Sequence, residues 1–111
     1  MKVLNAFSLN MLATFPCSVL VSEINVGAAK AFLEARGVDS YVGHSSTASV
    51  FTEQLGIEIP CIRGTATIYV GEVALVGQYS GPRLDEGATV LPEGATIKWF
   101  LVSPRGLAVG F

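Results

Sequence analysis

Histidine occurs once in this chain, at position 44, within Tyr41-Val42-Gly43-His44-Ser45-Ser46-Thr47-Ala48. An imidazole is the side chain best suited to giving or taking a proton near neutral pH. Here it stands where a short apolar run stops and a helical pattern starts, with three hydroxyls behind it. Ser46 or Thr47 has the chemistry of an N-cap, which leaves the next backbone N–H groups pointing outward. A proton donor beside the positive end of a helix suits an anion, phosphate above all. The plainer alternative is a loop histidine followed by hydroxyls that only cap a helix.

A second polar cluster is Gln78-Tyr79-Ser80-Gly81-Pro82-Arg83-Leu84-Asp85-Glu86-Gly87. Arg83 offers a fork of donors for a phosphate, Glu86 a carboxylate, and Gln78 an amide for a base edge or a ribose. The same residue types also build an ordinary solvated turn. Arg63-Gly64 is a third candidate, equally readable as a strand-edge arginine. Asn5 and Ser8 close the first apolar strand, and in open α/β sheets sites collect outside strand ends.

Other chemistries fit poorly. One histidine, two distant cysteines and scattered carboxylates make no recognisable metal-ligand set. There is no Gly-x-Ser-x-Gly elbow and no glycine loop of the P-loop kind. A lone histidine suffices when the substrate brings its own nucleophile. RNA does so through its 2′-hydroxyl, and then needs in-line geometry, donors for the phosphate oxygens and an acid for the departing 5′-oxygen.

The elements that must position these groups follow from pattern. Lys2 to Phe7 predicts a strand, and Cys17 to Ser22 alternates as a second. Asn25 caps a helix to Arg36, with Val26, Ala29 and Leu33 on one face and Gly37 as its stop. Asp39 to Val42 predicts a short strand leading to His44, and a helix from about Ser46 to Leu55 carries the stripe Ala48, Phe51, Leu55. Thr65 to Val70 and Val73 to Gln78 flank Gly71-Glu72 as a hairpin, and Thr96 to Val102 is a last strand. The reading is one α/β domain over 1–111, a mixed five- to six-stranded sheet with helices packed on it, and a loose tail at 103–111. Of 111 residues half are apolar and 14% charged, with net charge −2, so the chain is globular and has no general attraction for nucleic acid. The apolar start is interrupted by Asn5, Ser8, Asn10 and Thr14, and no stretch reaches membrane-span length. Cys17 and Cys61 read as reduced core thiols of a soluble cytoplasmic protein.

With these residues assembled, the chain resembles the viral ring nucleases, type III anti-CRISPR proteins that destroy cyclic oligoadenylate messengers, and their cellular relatives. The match rests on Leu4-Asn5-Ala6-Phe7-Ser8-Leu9-Asn10-Met11-Leu12, Gly43-His44-Ser45-Ser46-Thr47 and Arg83-Leu84-Asp85-Glu86-Gly87, and spans about residues 3 to 102. Gly81-Pro82 makes the last block one residue longer than in archaeal-virus members, which affects the register of Gln78. The resemblance implies a homodimer with helices on both sheet faces, and cleavage of cyclic tetra-adenylate without metal or cofactor. It makes His44 the general acid and Glu86 its helper or a ring contact. Asn5, Ser8, Ser46, Thr47, Arg63, Gln78 and Arg83 become ring contacts.

A two-fold pair would offer the same groups to opposite phosphates of a symmetric ring. Two rivals stay open. One is a sponge or sensor that binds the ring uncut. The other is a structural or duplex-DNA-binding protein, which the negative charge and the lack of a basic stripe speak against. Viral and cellular owners would use the same chemistry, in the host cytoplasm if the owner is a virus.

Overall fold

The computed structural model describes residues 1–106. Strands β1 (Lys2–Leu4), β2 (Cys17–Ile24), β3 (Asp39–Ser40), β4 (Ala74–Ser80) and β5 (Thr96–Gly106) form one mixed sheet in the order β2-β5-β4-β1-β3. β1 runs parallel to β3 and β4, whereas β5 is antiparallel to β4 and β2. The helices are α1 (Val26–Arg36) and α2 (Ser45–Leu55). The expected single α/β domain with a mixed sheet is therefore found, with five strands.

Local chemistry sets the helix ends. The Asn25 side chain accepts the Ala28 N–H at 2.8 Å, and Gly37, at φ 78°, takes the N–H-donating stop position behind Leu33. α2 ends at Gly56, whose left-handed φ of 67° suits glycine. The Thr52 hydroxyl donates to the Ala48 carbonyl and accepts the Ile59 N–H at 2.9 Å, which fixes the chain leaving the helix.

Both helices cover the same sheet face. Ala29 and Leu33 of α1 and Ala48, Phe51 and Leu55 of α2 join Val3, Leu75 and Trp99 in one buried cluster. On the opposite face, Leu4, Ala74, Val76 and Val102 pack under Ala66 and Ile68, so an irregular segment lies where the resemblance implies helices. The period-two alternation of β4 sends Leu75 and Gly77 toward α2 and Ala74 and Val76 away from it. At Gly77 the approach is closest: a Cβ would lie 2.6 Å from both Phe51 Cζ and Trp99 Cζ3. Those two rings pack against each other at 4.9 Å and 60°.

Several expectations are corrected. β1 stops at Leu4 rather than Phe7, and β3 at Ser40 rather than Val42. Val26 stays exposed on α1. Residues 65–70 do not pair with β4 as a hairpin. Ile68 instead bridges Leu12 in parallel, its N–H donating to Met11 O at 2.7 Å. Gly71 does turn the chain, at φ 92°, but the turn is clamped to β1. The Lys2 ammonium donates to Thr67 O at 2.6 Å and to the Glu72 carboxylate at 3.0 Å, and that carboxylate accepts the Tyr69 N–H at 2.7 Å.

The tail expected to be loose from 103 is strand as far as Gly106, paired with Cys17; residues 107–111 lie outside the described residues. Pro104 is tolerated because its carbonyl accepts Gly71 N–H on the β4 side, past the last rung of the β4 ladder. The N–H it lacks would have pointed to that same side, so no bond to β2 is lost. The cysteines are not core thiols either: Cys17 is half-buried and Cys61 exposed. No helix among the described residues is long and apolar enough to cross a membrane.

Two stability measurements follow. Gly77→Ala forces a methyl into the Phe51–Trp99 contact and should cost about 1–3 kcal/mol in urea unfolding; an unchanged midpoint would show that α2 does not rest there. For Glu72, burial raises the carboxyl's pKa, but the Tyr69 N–H and the Lys2 ammonium together outweigh it and hold the value below the ordinary 4.5. The resulting stabilisation is in force above about pH 4.5 and is lost as the pH falls through the depressed value. Glu72→Gln should therefore be less stable than the parent at pH 7, with the gap closing in acid. A gap that persists at pH 2.5 would point to packing instead of charge.

Candidate functional site

The lead-in to His44 is held from below. Ser40 is buried, and its hydroxyl donates to Pro60 O at 2.6 Å and accepts the Val42 N–H at 3.2 Å. Ile62 N–H donates to Val42 O at 3.0 Å, so the returning chain runs alongside the approach to α2. Arg63 is thereby brought against Gly43, where a Cβ would lie 3.6 Å from Arg63 Cγ. A Cβ there would make only ordinary van der Waals contact, so the arginine stem packs alongside the residue before the histidine.

His44 is itself the N-cap of α2, in extended backbone, and its side chain makes no capping bond. Ser46 and Thr47, expected as caps, lie inside the first turn instead. Ser46 has another partner: its hydroxyl donates to Asp85 O at 2.9 Å, joining α2 to the loop after β4. First-turn N–H groups with no side-chain cap keep the helix's positive end available to a ligand.

These groups surround one cavity of about 860 Å³, within the size range of small-molecule sites. Its walls bring together His44, Ser46, Thr47, Arg63, Arg83 and Glu86 from the sequence reading, and add Ser45, Tyr79, Leu84 and Asp85. His44, Arg63, Arg83 and Glu86 are all exposed. The wall carries the two guanidiniums of Arg63 and Arg83 and the two carboxylates of Asp85 and Glu86, so attraction for an anion depends on where donors point rather than on an excess of positive charge.

Asn5 and Gln78 fall elsewhere. They line a second hollow of about 400 Å³ with Phe7, Val21, Val76 and Phe100. A third, of about 230 Å³, has both His44 and Asn5 in its wall and so shares a wall residue with each of the other two. Gln78 is separated from Arg83 and Glu86 because neighbouring residues of a strand face opposite ways: Gln78 follows Val76, while Tyr79 follows Gly77 toward α2. Ser8 is exposed at the start of the 3-10 turn Leu9–Met11 and belongs to none of these three walls. Tyr79 was missed, although the strand period alone puts it on the face of the helix. Among the described residues, no three of His, Cys, Asp and Glu gather as metal ligands.

The arrangement can seat an anion at a helix end, hold it with two arginines and offer it a proton. The family model described as STIV B116-like matches residues 1–96. Among solved structures, the chain is similar to B116 of Sulfolobus turreted icosahedral virus (STIV), with 25% identity and a TM-score of 0.79, covering 92% of this chain and 97% of that one. Among curated proteins none matches.

Because the imidazole caps nothing, the fold should improve without it. His44→Asn supplies a side chain that can accept a first-turn N–H, and should raise unfolding free energy by about 1 kcal/mol. A loss of stability in urea titration would show that the histidine serves the helix.

Proposed function

The chain belongs to the STIV B116-like family, and from that premise we propose that it is a metal-independent ring nuclease acting on cyclic tetra-adenylate as a homodimer. The observation that carries the reading is the shared cavity, in which the only histidine, an uncapped helix N-terminus, Arg63, Arg83 and Glu86 meet.

The chemistry asks little of the protein. The substrate's 2′-hydroxyl oxygen attacks the adjacent phosphorus and the bond from phosphorus to the 5′-oxygen breaks. His44 delivers a proton to that leaving oxygen, while the proton of the attacking hydroxyl passes to solvent water, from which the imidazole is reprotonated for the next turnover. The products carry a 2′,3′-cyclic phosphate at one end and a 5′-hydroxyl at the other. The α2 N–H groups and the arginine forks stabilise charge on the non-bridging oxygens as it builds. Glu86, in the same wall, orients the imidazole or holds the ring. Ser46 has committed its proton to Asp85 O and contributes its backbone N–H and lone pairs; Thr47 stands beside it. Asn5 and Gln78, which line the other hollow, would contact bases or riboses rather than the scissile phosphate.

Each subunit supplies one His44 to an open cavity. A ring of four equal nucleotides presents matching phosphates on opposite sides, so two subunits about a two-fold axis make two equivalent cuts and release linear di-adenylate. Breaking type III CRISPR signalling would be the consequence in a cell that uses this messenger.

Labelled ring incubated with excess protein and chelator, then separated by chromatography, tests the reading. Cleavage should persist, and His44→Ala should bind the ring while cutting it about 10²–10⁴-fold more slowly. Ring recovered intact from the parent protein would make it a sponge or sensor. Activity abolished by chelator and restored by metal would reject the mechanism.

A further inference from the structure

The loop that carries Arg83 and Glu86 is held by two hydroxyls, each acting on one peptide plane. Ser46 Oγ donates to Asp85 O, and that carbonyl belongs to the plane shared with Glu86. Tyr79 Oη donates to Pro82 O, whose plane is shared with Arg83. Arg83 and Glu86 therefore each follow directly on a plane that a hydroxyl holds.

The root of the loop is tightly built around Tyr79. Gly81 sits at φ 153°, where a Cβ would lie 2.6 Å from Ala95 Cβ and 3.1 Å from Tyr79 Oη. Ala95 is itself buried, immediately before β5, so the loop leaves β4 and returns to β5 through one packed gate. Beyond it Arg83 is exposed and reaches the cavity. In the described residues the carbonyl before it is met by the tyrosine hydroxyl, while the guanidinium itself enters no side-chain ion pair. What the fold holds of this arginine is its backbone root.

We propose that Tyr79 is a positioning residue of this site: its hydroxyl sets the Pro82–Arg83 plane and thereby points the Arg83 guanidinium at an anion seated on the N-terminus of α2. The idea rests on the cyclic tetra-adenylate reading for its ligand, though the anchoring itself does not. Tyr79→Phe removes one oxygen and keeps the ring that packs toward α2, so the fold is retained.

Affinity for cyclic tetra-adenylate should fall about 3- to 10-fold, the usual weight of one hydrogen bond. Cleavage of ring already bound should change less than that, because His44 is untouched. In an Arg83→Ala background the tyrosine change should cost almost nothing, as expected when one residue acts through the other. Amide hydrogen exchange without ligand should quicken over Arg83 to Ala88 and stay as it was in α2 and β4. An equal loss of affinity in the presence and absence of Arg83, or unaltered exchange over 83–88, would overturn the proposal. Should the parent protein fail to bind the ring, the functional reading falls, and the exchange measurement still decides whether Tyr79 anchors the loop.

Discussion

The structure depends on α2 lying directly on the sheet at Gly77. Phe51 and Trp99 fill the space a side chain would take there. Burial of two such rings is a large share of what a domain of this size can gather. The contact fixes the height and direction of α2, and so decides where its first turn emerges. Ala48 and Leu55, on the same stripe, prevent the helix from rolling. The position of His44 at the head of α2 is thus set seven residues away from the imidazole, by an apolar contact.

The second constraint is the alternation of β4. One strand supplies Gly77 to seat the helix, Tyr79 to meet the loop and Gln78 to the opposite hollow. A slip of one residue would exchange these roles and put the glutamine under α2. Such a slip is prevented because Ala74 and Val76 are buried against Ala66 and Ile68 while Leu75 is buried against the helices. Both faces of the strand are committed, and the site inherits their precision. Gly81-Pro82 lies beyond Ser80, after the last rung, where the loop can take its own course without disturbing the ladder.

Much of this was legible in the residues. Asn25 and Gly37, Gly56 and the stripe Ala48–Phe51–Leu55 announce both helices through local rules that tertiary packing does not override. The grouping of His44 with Arg63, Arg83 and Glu86 was legible only in part, since Arg63 is brought near by Ser40, buried and bonded to Pro60 O, and the loop of Arg83 and Glu86 by Ser46, bonded to Asp85 O, neither of which periodicity reveals. The hairpin at Gly71-Glu72 was misread because β-branched composition signals extended chain but not its partner. The partner was chosen by Lys2, whose ammonium gathers Thr67 O and Glu72 from 65 and 70 residues away. The end of β5 was misread because a proline argues against a ladder, unless its missing N–H faces the side where the ladder has already ended.

What remains is why a histidine occupies an N-cap at all. Asn, Asp, Ser and Thr are preferred there because a short oxygen-bearing side chain can accept a first-turn N–H, and replacing them typically costs about 0.5–2 kcal/mol. This chain places hydroxyls at Ser45, Ser46 and Thr47, one to three residues too late to cap, and turns Ser46 outward to Asp85. A helix that could have been capped by shifting one residue is left with its first N–H groups unclaimed by any side chain. Sequences that specify a fold generally agree across levels, and departures concentrate where function competes with stability. At α2 the departure and the cavity coincide. His44 and the first-turn residues Ser45, Ser46 and Thr47 line the same cavity, and an anion bound at such a helix end would complete what no side chain of the protein caps.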